Sequence, residues 1–85
     1  MIPAADRWGP FANGLEPGER VARLRSLRAI AQLLLGPRGV ELRAHLCRAE
    51  TDDAALPYAV DALNRLASRD RRGVLASYAA LSRPS

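Results

Sequence analysis

Apolar residues recur every three or four positions in four consecutive blocks of this chain, which is the spacing of amphipathic helices. No segment alternates with a period of two, so no strand is expected. The pattern predicts helices over residues 17–35, 38–50, 53–67 and 69–82. We therefore predict an all-α fold, a compact four-helix bundle over residues 19–83 that follows an extended Pro/Gly-rich arm over residues 1–18.

Turn-forming residues separate the predicted helices. Gly36 and Pro37 should end the first helix, because glycine takes the positive φ of a helix end and proline cannot continue the helix. The third helix can be capped by Thr51, Asp52 or Asp53, and its first turn should contain Pro57. If Pro57 is instead the first helical residue, residues 52–56 form a separate turn.

The first helix is apolar on more than half of its circumference. Its predicted inward side chains are Leu24, Leu27, Ala31, Leu34 and Leu35, and those of the later helices are Leu42, Leu46, Ala49, Leu56, Val60, Leu63, Ala67, Val74, Leu75, Tyr78 and Leu81. The back of the first helix, with Ala22, Ala29 and Leu33, is also weakly polar. Such a helix needs cover on two sides, which predicts a central position or a subunit contact.

The predicted arm carries the only Trp and the only Phe, Trp8 and Phe11. Two large aromatic residues outside the helical region either fold back onto one end of the bundle or dock into a partner. We take Trp8, Phe11 and Leu33 as the candidate residues for contact with a partner protein.

The charge of the chain is unevenly distributed. Thirteen arginines, with no lysine, face nine acids, for a formal net charge of +4. Residues 1–35 carry +2, residues 36–67 carry −1 and residues 68–85 carry +3. A domain of 85 residues also buries a small share of its surface, so a second copy or a partner that covers apolar surface would stabilise it.

Three arginines crowd the start of the fourth predicted helix. Arg69, Arg71 and Arg72 oppose the helix dipole there, so they predict an anion site, which Arg25 and Arg28 could extend. Replacement of Arg71 and Arg72 by Gln should then leave the fold intact. The alternative is that nearby acids neutralise the cluster, and the candidates are Asp52, Asp53, Asp61 and Asp70.

Candidate catalytic and metal-binding chemistry is sparse. Cys47 is the only cysteine, so no internal disulfide forms, and it fits a role as a small apolar filler. His45 lies two positions away, about 160° around the helix, so the two side chains cannot share a metal ion. We expect His45 to pair with Glu41, and we expect neither an enzyme activity, nor a cofactor, nor a metal, nor a small-molecule substrate.

These features predict a cytoplasmic protein without a signal peptide or a membrane-spanning segment. Its predicted function is that of a non-enzymatic interaction, adaptor or assembly module that self-associates or binds another protein. The alternative is a small basic DNA- or RNA-binding regulatory protein that contacts phosphates through Arg69, Arg71 and Arg72.

Overall fold

Helix α1 (Pro17–Leu35) is the longest element of the computed structural model, which describes residues 9–12 and 14–82. Pro17 starts the helix, where its missing N–H would have had no partner, and Glu19 in the first turn suits the helix dipole. Gly36 ends the helix at φ +53°, and its N–H donates to the Gln32 carbonyl. Because that backbone conformation favours glycine, Gly36 ends the helix as the sequence predicted.

A 3₁₀ turn (Gly36–Gly39) leads from α1 into helix α2 (Val40–Ala49). Gly39 is buried against the end of α1, and a Cβ atom there would lie 3.0 Å from the Leu35 Cβ. The close approach of the two backbone segments therefore leaves little room for a side chain at this position.

The third predicted helix is shorter than its sequence pattern indicates. Asp52 accepts a hydrogen bond from the Ala54 N–H and caps a 3₁₀ turn (Asp53–Ala55), and helix α3 (Leu56–Asn64) begins only after that turn. The observed start of α3 at Leu56 is close to the alternative prediction, in which Pro57 is the first helical residue. Helix α4 (Ser68–Ser82) follows after three residues.

The all-helical prediction is confirmed for residues 9–12 and 14–82, where no strand occurs. Helix α1 packs against both α2 and α4, and α2 packs against α3. Three helices have ten residues or more, whereas α3 has nine. The radius of gyration is 11.6 Å, close to the ~12 Å expected of a compact chain of this length.

Leucine and alanine form most of the core. The buried apolar residues are Phe11, Leu24, Leu27, Ile30, Ala31, Leu35, Leu42, Leu46, Ala49, Ala55, Ala59, Ala62, Leu63, Val74 and Tyr78. Leu34, Ala67 and Leu81 were predicted to face inward but are exposed, because they lie in the last turn of a helix or just beyond one, at the margin of the core.

Part of the predicted arm forms a turn instead of an extended segment. Gly9–Phe11 forms a 3₁₀ turn whose carbonyls accept hydrogen bonds from α1, from Arg20 Nη1 to Pro10 O at 2.8 Å and from Arg23 Nη1 to Gly9 O at 3.2 Å. The turn is held in place because two α1 guanidiniums donate to its carbonyl oxygens and because the Phe11 ring packs in the core.

Candidate functional site

The arginine cluster at the start of α4 is divided between two environments. Arg71 points back to α3, where Nη1 donates to the main-chain oxygens of Asn64 at 3.0 Å and Leu66 at 3.3 Å, and Nη2 donates to Ser68 Oγ at 3.5 Å. The last carbonyls of a helix carry partial negative charge and lack intrahelical partners. Arg71 therefore caps the end of α3, a role that the charge pattern of the sequence did not reveal.

Asp70 lies among the clustered arginines in the sequence, but it pairs with Arg38, which is not one of them. Arg38 in the 3₁₀ turn after α1 donates from Nε to Oδ2 at 2.9 Å and from Nη2 to Oδ1 at 3.1 Å. This two-point contact links that turn to the first turn of α4. The hydrogen bond with Asp70, and then its negative charge, raise the pKa of Arg38 above its ordinary value.

Arg69 and Arg72 are the two exposed cations that remain. Neither guanidinium makes an ion pair or a hydrogen bond with the described residues. The structure thus reduces the predicted triple cluster to two solvated arginines and one arginine engaged with the backbone.

Arg25 and Arg28 are also engaged within the chain. Both approach Glu50 at the end of α2, Arg25 Nε at 3.0 Å from Oε1 and Arg28 Nη1 at 3.0 Å from Oε2. The Arg25 contact is a hydrogen bond, whereas Arg28 pairs by charge without hydrogen-bond alignment. Only 11% of the Glu50 side chain is exposed, so these arginines hold α1 to α2 rather than extending the surface of Arg69 and Arg72.

The three candidate partner-binding residues are in different situations. Phe11 is 3% exposed and belongs to the core of its own chain. Trp8 lies outside the described residues. Leu33 is 84% exposed and is the most exposed large apolar side chain of the described chain, followed by Leu81 at 64%.

Leu33 lies on the back of α1, together with Ala22, Ser26 and Ala29. The residues recur at intervals of four, three and four, so they share one side of the helix, and Ala22 and Ala29 are exposed as well. Ser26 Oγ donates to the Ala22 carbonyl at 3.1 Å, so the only polar side chain of this group already has a partner. We call these four residues the outer face of α1.

The start of α1 lies beside the end of α4, because the two helices are antiparallel. A groove of about 340 Å³ between the start of α1 and the end of α4 is lined by Glu19, Ala22, Arg23, Ser26, Tyr78 and Leu81. At the other end, the Arg38–Asp70 pair joins the turn after α1 to the start of α4. Arg69 and Arg72 therefore lie at the end opposite the start of α1, where Glu19 pairs with Arg23 at 2.8 Å.

His45 and Cys47 are not placed as the sequence suggested. The ring of His45 stacks on Tyr58 of α3, with centroids 5.9 Å apart, while Glu41 pairs with Arg65 at 2.9 Å. Arg65, just after α3, therefore pairs with the Glu41 carboxylate that was expected to pair with His45. Cys47 is exposed rather than packed as a filler, because α2 turns this position away from both α1 and α3. The described residues contain no group of three or more His, Cys, Asp or Glu side chains that could hold a metal ion.

No protein-family model, curated protein or solved structure matches this chain. Within the described part of the chain, every helix is too short or too polar to cross a bilayer. The functional argument therefore depends on the surfaces of the molecule itself.

Proposed function

We propose that this chain is a non-enzymatic interaction module that assembles with another protein chain, in the first instance with a second copy of itself. The observation that carries this proposal is the exposure of Leu33 on the back of a helix that already has neighbours on two sides. Helix α1 contacts α2 and α4, yet Ala22, Ala29 and Leu33 of its outer face stay exposed. The cover that this face needs must then come from another molecule.

The energetic argument follows from the size of the chain. Burial of one leucine side chain stabilises an assembly by about 1.5–3 kcal/mol, a substantial amount for a domain of 85 residues with a small core. Two copies would each bury a Leu33, so a self-associated form gains this contribution twice. An apolar face of this kind also avoids leaving buried polar groups without partners, because the hydroxyl of Ser26 bonds to its own helix.

Two further features belong to this proposal. Residues 19–83 would act as one four-helix bundle, with residues 1–18 as an arm that reaches α1 and α4 through Gly9 and Phe11. The protein would work in the cytoplasm, since an exposed free thiol at Cys47 is suited to a reducing compartment.

Sedimentation velocity over a wide concentration range tests the proposal. We expect a species larger than the monomer at high concentration, and we expect Leu33→Glu to shift the equilibrium to the monomer. Val40→Glu is the matched control, because Val40 is also exposed and lies at the start of α2, where an acid suits the helix dipole. A wild-type chain that remains monomeric at every concentration would overturn self-association.

A second candidate function, nucleic-acid binding, is favoured by the solvated pair Arg69 and Arg72. The proposal is narrower than the sequence suggested, since Arg25, Arg28 and Arg71 have partners within the chain. Two phosphate contacts would give a shallow salt dependence, with a slope of about −2 in log K against log salt. Titration of duplex DNA at low and moderate salt, with Arg69→Gln/Arg72→Gln as the comparison, measures this slope directly, and absence of binding at low salt ends this candidate.

A further inference from the structure

One end of the molecule collects most of the exposed large apolar side chains of the described residues. Leu33, Leu34 and Val40 all lie between residues 33 and 40, on both sides of the turn that joins α1 to α2. Leu33 belongs to the outer face of α1, whereas Leu34 lies about 100° further around the helix. Leu34 is 45% exposed and Val40 is 58% exposed, and the exposed Pro37 lies between them in the sequence. Grouped apolar side chains with charged neighbours are typical of interaction sites, whereas scattered single ones are normal on any surface.

The ends of α1 and α3 and the starts of α2 and α4 meet at this end of the molecule. Arg38, in the turn after α1, pairs with Asp70 of α4, and Glu41 of α2 pairs with Arg65 just after α3. Arg65 also pairs with Asp61. Every acid that the described structure places at this end is therefore already paired with an arginine of its own chain.

Arg69 and Arg72 lie at the same end and have no carboxylate partner among the described residues. Both are exposed at the start of α4, where a cation opposes the helix dipole. Because the acids around them are already paired, their charge is not neutralised locally. A carboxylate from another molecule would therefore gain an ion pair here and would also suit the dipole of α4.

We propose that this end of the molecule docks an acidic peptide segment of another protein through Leu34, Val40, Arg69 and Arg72. Carboxylates of the segment pair with the two arginines, and its apolar side chains cover the leucine and the valine. None of these four residues belongs to the outer face of α1, so this docking surface does not depend on self-association.

Two other classes of partner fit the same end less well. A nucleic acid offers phosphates to the arginines, but its charged backbone would leave Leu34 and Val40 without apolar cover. An anionic lipid surface would bring negative charge against Glu41 and Asp61, whose side chains are 60% and 66% exposed. A peptide segment can place its few carboxylates beside the free arginines and its apolar groups elsewhere, because each position is a separate residue.

Selection from a random peptide library displayed on phage, with the folded chain as the target, tests this proposal. We expect the enriched peptides to carry Asp or Glu together with a large apolar residue. One such peptide, synthesised with a fluorescent label, should bind about tenfold more weakly to Arg69→Gln/Arg72→Gln and to Val40→Ser. The double substitution should also reduce the salt dependence of binding, whereas Val40→Ser should leave it unchanged.

Arg48→Gln and Leu81→Ser are the matched controls, because they replace an exposed arginine and an exposed leucine away from this end. Both should leave the affinity for the peptide unchanged. Equal losses in the controls, enrichment of basic or uncharged peptides, or no enrichment at all would overturn the proposal.

Competition identifies the class of partner. Duplex DNA or phosphatidylserine vesicles that bind more tightly than the selected peptide and displace it would overturn the peptide as the occupant of this end. A chain that is monomeric at all concentrations but binds the peptide as expected would remove self-association and leave this docking surface standing.

Discussion

Arg71 Nη1 lies 3.0 Å from the main-chain oxygen of Asn64, so a side chain in the first turn of α4 caps the last turn of α3. The two helices have few other direct contacts, since α3 packs mainly on α2 and α4 mainly on α1. The guanidinium of Arg71 is therefore one of the few direct contacts between α3 and α4.

Arg71→Gln should lower the free energy of unfolding by about 1 kcal/mol. A charged donor to backbone carbonyls contributes more than a neutral one, and the partial exposure of Arg71 reduces that contribution. Urea denaturation followed by circular dichroism measures the change. Arg72→Gln is the control and should stay within about 0.5 kcal/mol of wild type, because Arg72 is exposed and has no described partner. Equal effects of the two substitutions would contradict the capping role.

The sequence predicted the helices well but did not reveal the partners that several arginines have within the chain, and the physical reasons are separate. Helix α1 was bounded correctly because Pro17 at its start, Gly36 at its end and the apolar period between them are each visible in the local sequence. The contact of Arg71 with the end of α3 was missed because its partners there are mainly backbone carbonyls, which leave no trace in residue type. The expectation that Arg71 can be replaced without harm to the fold is revised accordingly.

Long-range pairing explains the other differences. Arg25 and Arg28 meet Glu50 from a distance of more than 20 residues in sequence, and Arg38 meets Asp70 from 32 residues away. Neither relation can be read from local spacing, so Arg25 and Arg28 were expected to be free to bind an anion. The weakly polar back of α1, by contrast, is a local property, and the prediction that it needs further cover could be made from the sequence.

Glu50→Gln should lower the free energy of unfolding by about 1 kcal/mol. The substitution removes the shared partner of Arg25 and Arg28 at a position where the carboxylate is nearly buried. Asp61→Asn is the matched control, since the Asp61–Arg65 pair is exposed on both sides and should contribute only a few tenths of a kcal/mol. Thermal unfolding of both variants at low and high salt separates the two cases, and an Asp61 effect as large as that of Glu50 would refute this ranking.

Gly73→Ala should raise the free energy of unfolding by about 0.5–1 kcal/mol. Gly73 lies inside α4, where glycine costs backbone entropy, and a Cβ atom there would meet nothing within 4 Å. Gly39→Ala should have the opposite sign, because its Cβ would lie 3.0 Å from the Leu35 Cβ. Chemical denaturation of both variants tests the pair, and a destabilised Gly73→Ala chain would show that α4 needs its glycine for another reason.

Cys47 should react with a thiol reagent in the native state nearly as fast as in the unfolded chain. Its side chain is exposed, so no opening of the fold is required before the reaction. Kinetics with an aromatic disulfide reagent, with and without denaturant, measure the ratio of the two rates. Strong protection of the native thiol only at high protein concentration would instead place Cys47 in an interface. Strong protection at every concentration would place it in the core.

Phe11→Ala should lower the free energy of unfolding by about 3 kcal/mol or more, because it removes a large ring from the core. Leu33→Ala should change the stability of the monomer by less than about 0.5 kcal/mol, since that side chain contacts mainly water. Denaturation at low protein concentration compares the two, and sedimentation at high concentration compares their effects on assembly. If Phe11 were a partner contact, the pattern would be reversed, with Phe11→Ala neutral in the monomer and harmful only to assembly. The two substitutions thus distinguish a residue that completes the fold from one that the fold leaves for a partner.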